Sequence, residues 1–195
     1  MSEKGVLAYW FDIAPEVRQL WLDWYLSDHM PSRVGTVFSA GRCYEAIDAC
    51  RSHMVLFETP SAEDLLAPSY VALLKQVSDS DRERRAWYSQ TVRATCRVLS
   101  VLGNGTGGVL GVVRIRGAKA RQSDIQACLT QHILPLLGAF SSIGSVSVLC
   151  NDPGIRRSMD QVRVTGHQPI RPAADARQLH VCGQHSIAVL RPKAR

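Results

Sequence analysis

The chain has 195 residues, a formal net charge of +6 and 46% apolar residues. That length suits one large domain or two small ones, and the apolar share supports a buried core and excludes wholesale disorder. No apolar run reaches the roughly 18 residues of a membrane span, and the opening MSEKGVLAYW lacks the features of a secretory leader, so no membrane partner and a cytoplasmic location are expected.

The six cysteines are Cys43, Cys50, Cys96, Cys128, Cys150 and Cys182, and none has C-x-x-C spacing. This pattern fits small buried thiols in a reducing compartment, with neither a disulfide framework nor a structural zinc site. The basic excess lies in Asp81-Arg82-Glu83-Arg84-Arg85, which also carries acids, and in a tail from Arg156 that contains no Phe, Trp or Tyr. Without interleaved aromatics the charge reads as a solvated surface, and no nucleic-acid partner is expected.

Residues 5–12 (GVLAYWFD) read as a buried strand. Pro15 opens a helix over 15–29, with an apolar face of Val17, Leu20, Trp21 and Trp24 beside a stripe of Trp21, Tyr25 and His29. A strand over 36–47 places Phe38, Ala40, Arg42 and Tyr44 on one face, with Cys43 and Glu45 on the other. A third strand spans 53–58, with His53, Val55 and Phe57 on one side. Ser61 and Asp64 suit a capping box for a helix that Pro68 interrupts. A charged loop and a strand over 91–102 complete a β-α-β-β-α-β order, the ferredoxin-like motif.

Gly103-Asn104-Gly105-Thr106-Gly107-Gly108 matches G-x-G-x-x-G. A dinucleotide site needs a helix after those glycines, whereas residues 109–116 are rich in Val and Ile and read as a strand. The stretch reads as a flexible linker between two units. The second unit repeats the first: a strand over 108–116, a helix over 123–137, a strand over 143–150. Gln131-His132-Ile133-Leu134-Pro135 echoes Asp28-His29-Met30-Pro31. An irregular connection is expected over 151–184 and a last strand over 185–190. The expected fold is thus α+β, with ferredoxin-like units at 1–105 and 106–195, the second abbreviated.

The segment Trp21-Leu22-Asp23-Trp24-Tyr25-Leu26-Ser27-Asp28-His29-Met30-Pro31, followed by Arg42-Cys43-Tyr44 and by Leu65-Leu66-Ala67-Pro68-Ser69-Tyr70, resembles the dimeric α/β-barrel superfamily, and within it the EthD-like group of bacterial catabolic clusters. The resemblance covers 5–116 well and the remainder weakly. It implies that two ferredoxin-like sheets pack face to face as a barrel, here as a pseudo-dimer within one chain, and that ligands sit inside the barrel or between sheet and helices. The chain departs from the group's pattern at Gly35-Thr36-Val37-Phe38, at Cys43 and at Ser78-Asp79-Ser80-Asp81, so no relative's substrate carries over.

His29 is the first catalytic candidate, because an imidazole titrates near neutrality; the bland alternative is a helix-end histidine bonding free carbonyls. Tyr25, one turn earlier, could donate to a substrate oxygen. Arg42 could bind a carboxylate or phenolate, or simply pair with a structural acid such as Glu58. Trp24, Phe38, Tyr44 and His53 would line the same pocket, between the first helix and the second strand. No metal motif, P-loop or nucleophile elbow is present. The expected function is a cofactor-independent enzyme (lyase, isomerase, decarboxylase or oxygenase type) acting on a small aromatic or carbonyl-bearing substrate. The alternative is a non-catalytic small-molecule-binding or assembly barrel, with a homodimer as the partner.

Overall fold

The run GVLAYWFDI forms strand β1 (Gly5–Ile13) in the computed structural model, which describes residues 3–75, 79–166 and 185–192. Its two neighbours are β3 (His53–Thr59) and β4 (Tyr88–Gly103), both antiparallel. With β2 (Ala40–Asp48), β5 (Leu110–Ile115), β6 (Ser145–Asn151) and β7 (His185–Pro192), they make one seven-stranded antiparallel sheet in the order β5-β7-β2-β3-β1-β4-β6. Alternation splits β1 between two clusters: Leu7, Phe11 and Ile13 face the helices, while Ala8 and Trp10 face the other way. Leu110 and Val112 of β5 pack against the Ala8 and Trp10 side, although three strands separate β5 from β1 in the sheet. The sheet is therefore curled, and its inner face is a second core.

The first helix starts where expected but changes pitch twice. Pro15 opens a 3-10 turn (Pro15–Val17), followed by α1 (Arg18–Trp24) and a π-helical turn (Tyr25–His29). Trp21 and Tyr25 bury themselves against the sheet, and Met30 follows them into the core. The same sequence of pitches recurs in the second half: a 3-10 turn (Lys119–Arg121), α4 (Gln122–Cys128) and a π-helical turn (Leu129–Ile133). Pro15 to Lys119, Arg18 to Gln122, Tyr25 to Leu129 and Pro31 to Pro135 are all steps of 104 residues.

Several local expectations need correction. β2 begins at Ala40, so Phe38 precedes it and packs on Phe57 from the helix side. The Ser61 capping box forms in full, but it caps a 3-10 turn (Ala62–Leu66); Pro68 then opens α2 (Pro68–Lys75) instead of interrupting a helix. The expected charged loop contains helix α3 (Asp79–Arg85), with Asp79 and Asp81 in its first turn and Arg82, Arg84 and Arg85 in its last. That polarity matches the helix dipole. The expected irregular connection begins with a 14-residue helix (Pro153–Gly166), capped by Asp152 Oδ1, which accepts from the Gly154 and Ile155 amides. Ile155 and Met159 carry this helix onto the helix-side core of the first half. The rest of that connection, 167–184, lies outside the described residues.

Cys43 and Cys96 are buried, but Cys50 and Cys128 are exposed, so burial does not explain every cysteine; these four and Cys150 are free thiols. Cys182 lies outside the described residues. The glycine run is also no loose linker. Gly103 ends β4 with φ +80°, and the Gly105 amide donates to the Gly144 carbonyl at 3.0 Å. The run thus joins the end of β4 to the start of β6. A side chain on Gly103 would meet the Gly144 backbone as well as a left-handed φ. Gly103→Ala should cost about 1–3 kcal/mol, read as a lower urea midpoint at unchanged slope; a wild-type midpoint would show that this joint is not strained.

Candidate functional site

The expected site residues fall into two groups because the sheet passes between them. Tyr25, His29, Trp24, His53 and Phe38 lie on the helix side. Arg42 and Tyr44 lie on the inner face, where Arg42 sits opposite Leu56 and Tyr44 opposite Met54. The single pocket expected from the sequence does not form. Strand alternation put Arg42 and Tyr44 together correctly. The face that meets the helix carries Cys43 and Gly41, and the lack of a side chain at Gly41 leaves room for Met30, Val34 and Phe57.

The helix side is an aromatic cluster. Trp21 is fully buried, with ring centroids 5.3 Å from Phe11, 5.0 Å from Tyr25 and 4.8 Å from His53. Its indole Nε1 donates to the Tyr88 hydroxyl at 2.6 Å, which satisfies the one polar atom such burial would otherwise strand. His53 is a core residue. It is fully buried, lies parallel to the Phe11 ring, and its Nδ1 is 2.9 Å from Ser52 Oγ. Phe38 belongs to a separate stack with Phe57 and Tyr70.

His29 sits at the rim of this cluster, where the π-helical turn carries it. Its ring lies 4.5 Å from Trp24 and 4.9 Å from Tyr25. Nδ1 is 3.7 Å from Asp81 Oδ1 of α3, beyond hydrogen-bond reach but within ion-pair distance. Trp24 is held on one side by Asp28, which accepts from its Nε1 at 3.0 Å, and carries the Arg84 guanidinium 4.8 Å from its ring centroid. Arg33 donates to the His29 carbonyl, not to its ring. Burial pushes the His29 imidazole below its ordinary value, against the opposing pull of Asp81. Burial likewise pushes the Tyr25 hydroxyl well above its ordinary value, so it stays protonated.

On the inner face, Arg42 Nη1 donates to Glu58 Oε1, the structural pairing that the sequence left open. Tyr44 is buried beside Trp10 and Met54. Sequence reasoning missed Asp81, Arg84 and Tyr88. Asp81 and Arg84 lie in a segment whose charge density predicts a loop, although its acids precede its arginines as in a short helix. Tyr88 lies just before the expected start of β4.

A solved structure described as an anthrone oxidase-like protein matches this fold with a TM-score of 0.57, covering 100% of this chain and 92% of that chain at 10% sequence identity. The chain thus shares a mixed α+β fold with a protein of dimeric α/β-barrel type. No family model and no curated protein matches. Among the described residues no helix is long and apolar enough to cross a membrane.

Because burial lowers the His29 value, the unfolded chain binds this proton more readily than the folded one. Its effect on stability is absent well above pH 6.5, appears as pH falls through that ordinary value, and levels off below the folded value. An NMR titration should put the His29 midpoint below 6.5, and His29→Gln should flatten part of the stability loss between about pH 7 and 5. A midpoint at or above 6.5 would contradict the burial seen here.

Proposed function

We propose that this chain is a cofactor-independent, cytoplasmic enzyme of small-molecule metabolism, built of two ferredoxin-like units at 1–105 and 106–195, with His29 as its general base. The carrying observation is the His29 imidazole at the rim of an aromatic cluster, biased to its neutral form and backed by Asp81 at 3.7 Å. A neutral imidazole accepts a proton at neutral pH, and a carboxylate beside it stabilises the imidazolium that results. The substrate class is a flat carbonyl compound lying against Trp24. In the first step a C–H bond adjacent to the carbonyl, or conjugated with it through a ring, breaks. The proton goes to His29, and the electron pair becomes an enolate. Arg84, over the same Trp24 ring, is a cation that can face that developing charge. Tyr25 serves as a protonated wall. Arg42, Tyr44, Phe38 and His53 drop out of this reaction site, because they lie on the inner face or in the packed core.

The tandem reading is supported by the 104-residue step and by the strand order β2-β3-β1-β4 of the first half. Among the described residues the second half contributes three strands, β5, β6 and β7, where the first half has four, which is what an abbreviated unit would leave. Within the superfamily, the EthD-like affiliation rests on the sequence resemblance alone. The name of the structural neighbour supplies a probe and no more.

A second reading, an assembly module that pairs with its own copy, draws on the exposed apolar residues Leu102, Ile133, Leu136, Leu137, Phe140 and Leu149. The two readings separate in one assay. With anthrone as probe, NMR in heavy water should report exchange of its ring methylene protons, which the carbonyl acidifies through the flanking rings, faster than in buffer. His29→Gln should slow the enzymatic part by about a hundredfold or more, while Arg42→Ala should leave it within a few-fold. No acceleration over buffer with anthrone and with aromatic keto acids would favour assembly, as would exchange indifferent to His29.

A further inference from the structure

The inner face holds a cation whose surroundings call for an anion. Arg114 of β5 reaches across the curl of the sheet, and its guanidinium carbon lies 4.8 Å from the Trp10 ring centroid on β1. It is half-buried, and among the described residues it makes no ion pair or hydrogen bond. Arg116, Arg156 and Arg51 bear on it, all cations, of which Arg156 is paired with Asp160 and Arg51 with Asp12. The Cys96 thiol also bears on it, and burial pushes that thiol up to about 12, so it stays neutral. The other inner-face guanidinium, Arg42, is already neutralised by Glu58. Beneath it lies the packed apolar cluster of Ala8, Trp10, Tyr44 and Met54, with Leu110 and Val112 of β5 against it.

Withdrawing an unpaired cation from water is unfavourable. A ring face recovers part of that, but three further cations nearby add to the cost, not to the recovery. An apolar wall with one uncompensated guanidinium suits a monoanion with an apolar body, because the guanidinium fork takes a carboxylate with two parallel hydrogen bonds. We propose that Arg114 and Trp10 form a binding site for a small aromatic carboxylate on the inner face of the sheet. The sheet separates this site from His29, so it stands apart from the catalytic reading, and each can fail without the other.

The test uses the full chain and 2-naphthoate as probe, followed by calorimetry and thermal shift. Wild type should bind saturably, Arg114→Gln at least tenfold more weakly, and His29→Gln within twofold of wild type. The uncharged 2-naphthamide should not bind measurably. Without ligand, Arg114→Gln should melt at or above the wild-type temperature, since it removes an uncompensated cation. Should that variant fail to fold, Arg114→Lys keeps the charge while losing the fork and should bind several-fold more weakly than wild type. No binding by wild type, equal binding of the amide, undiminished binding by Arg114→Gln, or a lowered melting temperature of that unliganded variant (the mark of a purely structural clamp on Trp10) would each overturn the proposal.

Discussion

The structure turns on β1 having no solvent-facing side. Seven of its nine residues are buried, and alternation sends large rings both ways: Phe11 toward the helices and Trp10 toward the inner face. A one-residue slip would exchange the two faces along the whole strand. Such a slip would set Trp10 against Trp21, in the space that Phe11 fills with its centroid 5.3 Å from Trp21. The register is therefore held by two cores at once, and neighbouring strands inherit it. Met54 lies opposite Trp10, His53 opposite Phe11, and Tyr44 opposite Met54. This inheritance is also what keeps Arg42 and Tyr44 away from His29.

The two halves share an opening pattern and then part at the helix Pro153–Gly166. In the first half β2 turns back as β3. In the second, β6 leads into a helix whose Ile155 and Met159 pack on the first half's core. Arg97 binds Asp152 at 3.0 Å, and Thr95 donates to the Asp152 carbonyl, which anchors the start of that helix on β4. Apolar side chains that serve the first half cannot also cover the second. That accounts for the exposure of Ile133, Leu136 and Phe140, and for β5 and β6 standing as the two edges of the sheet.

Elements with strong periodicity were legible: β1, the helix from Pro15 to His29, β3 and β5 match their expected spans within a residue or two. So was the Ser61 capping box, a local motif that needs no tertiary partner. Short charged helices were not, because Asp79–Arg85 has no apolar stripe and follows only from its dipole-matched ends. The helix Pro153–Gly166 hides for a different reason. Its few apolar residues pay off only against the Ala62–Leu66 turn and α2, far earlier in the chain. The site was half legible. Tyr25, His29 and Trp24 are neighbours on one helix, so spacing alone brings their rings together. Whether Arg42 joins them depends on which face of β2 meets the helix, and that is a property of the whole sheet.

The 104-residue step separates what the scaffold requires from what the proposed chemistry requires. Met30 corresponds to Leu134, and both are about 95% buried; each is an apolar plug just after a π-helical turn. Pro31 corresponds to Pro135, just after that plug in both halves. The turn, the plug and the proline are thus packing devices that the fold uses twice. His29, by contrast, corresponds to Ile133, Tyr25 to Leu129 and Trp24 to Cys128. Ile133 and Leu129 cannot hold or move a proton, Cys128 supplies no aromatic wall, and His132 falls opposite Asp28, one position off the rim. A histidine needed only to fill the end of a π-helical turn would be served as well by the isoleucine that fills it in the second half. His29 instead buries a titratable ring at an energetic cost, with Asp81 brought to it by a helix that begins only two residues earlier, at Asp79. The cost falls on one half alone, where the aromatic cluster and the acid are both present, and that asymmetry is the physical reason for placing the chemistry there.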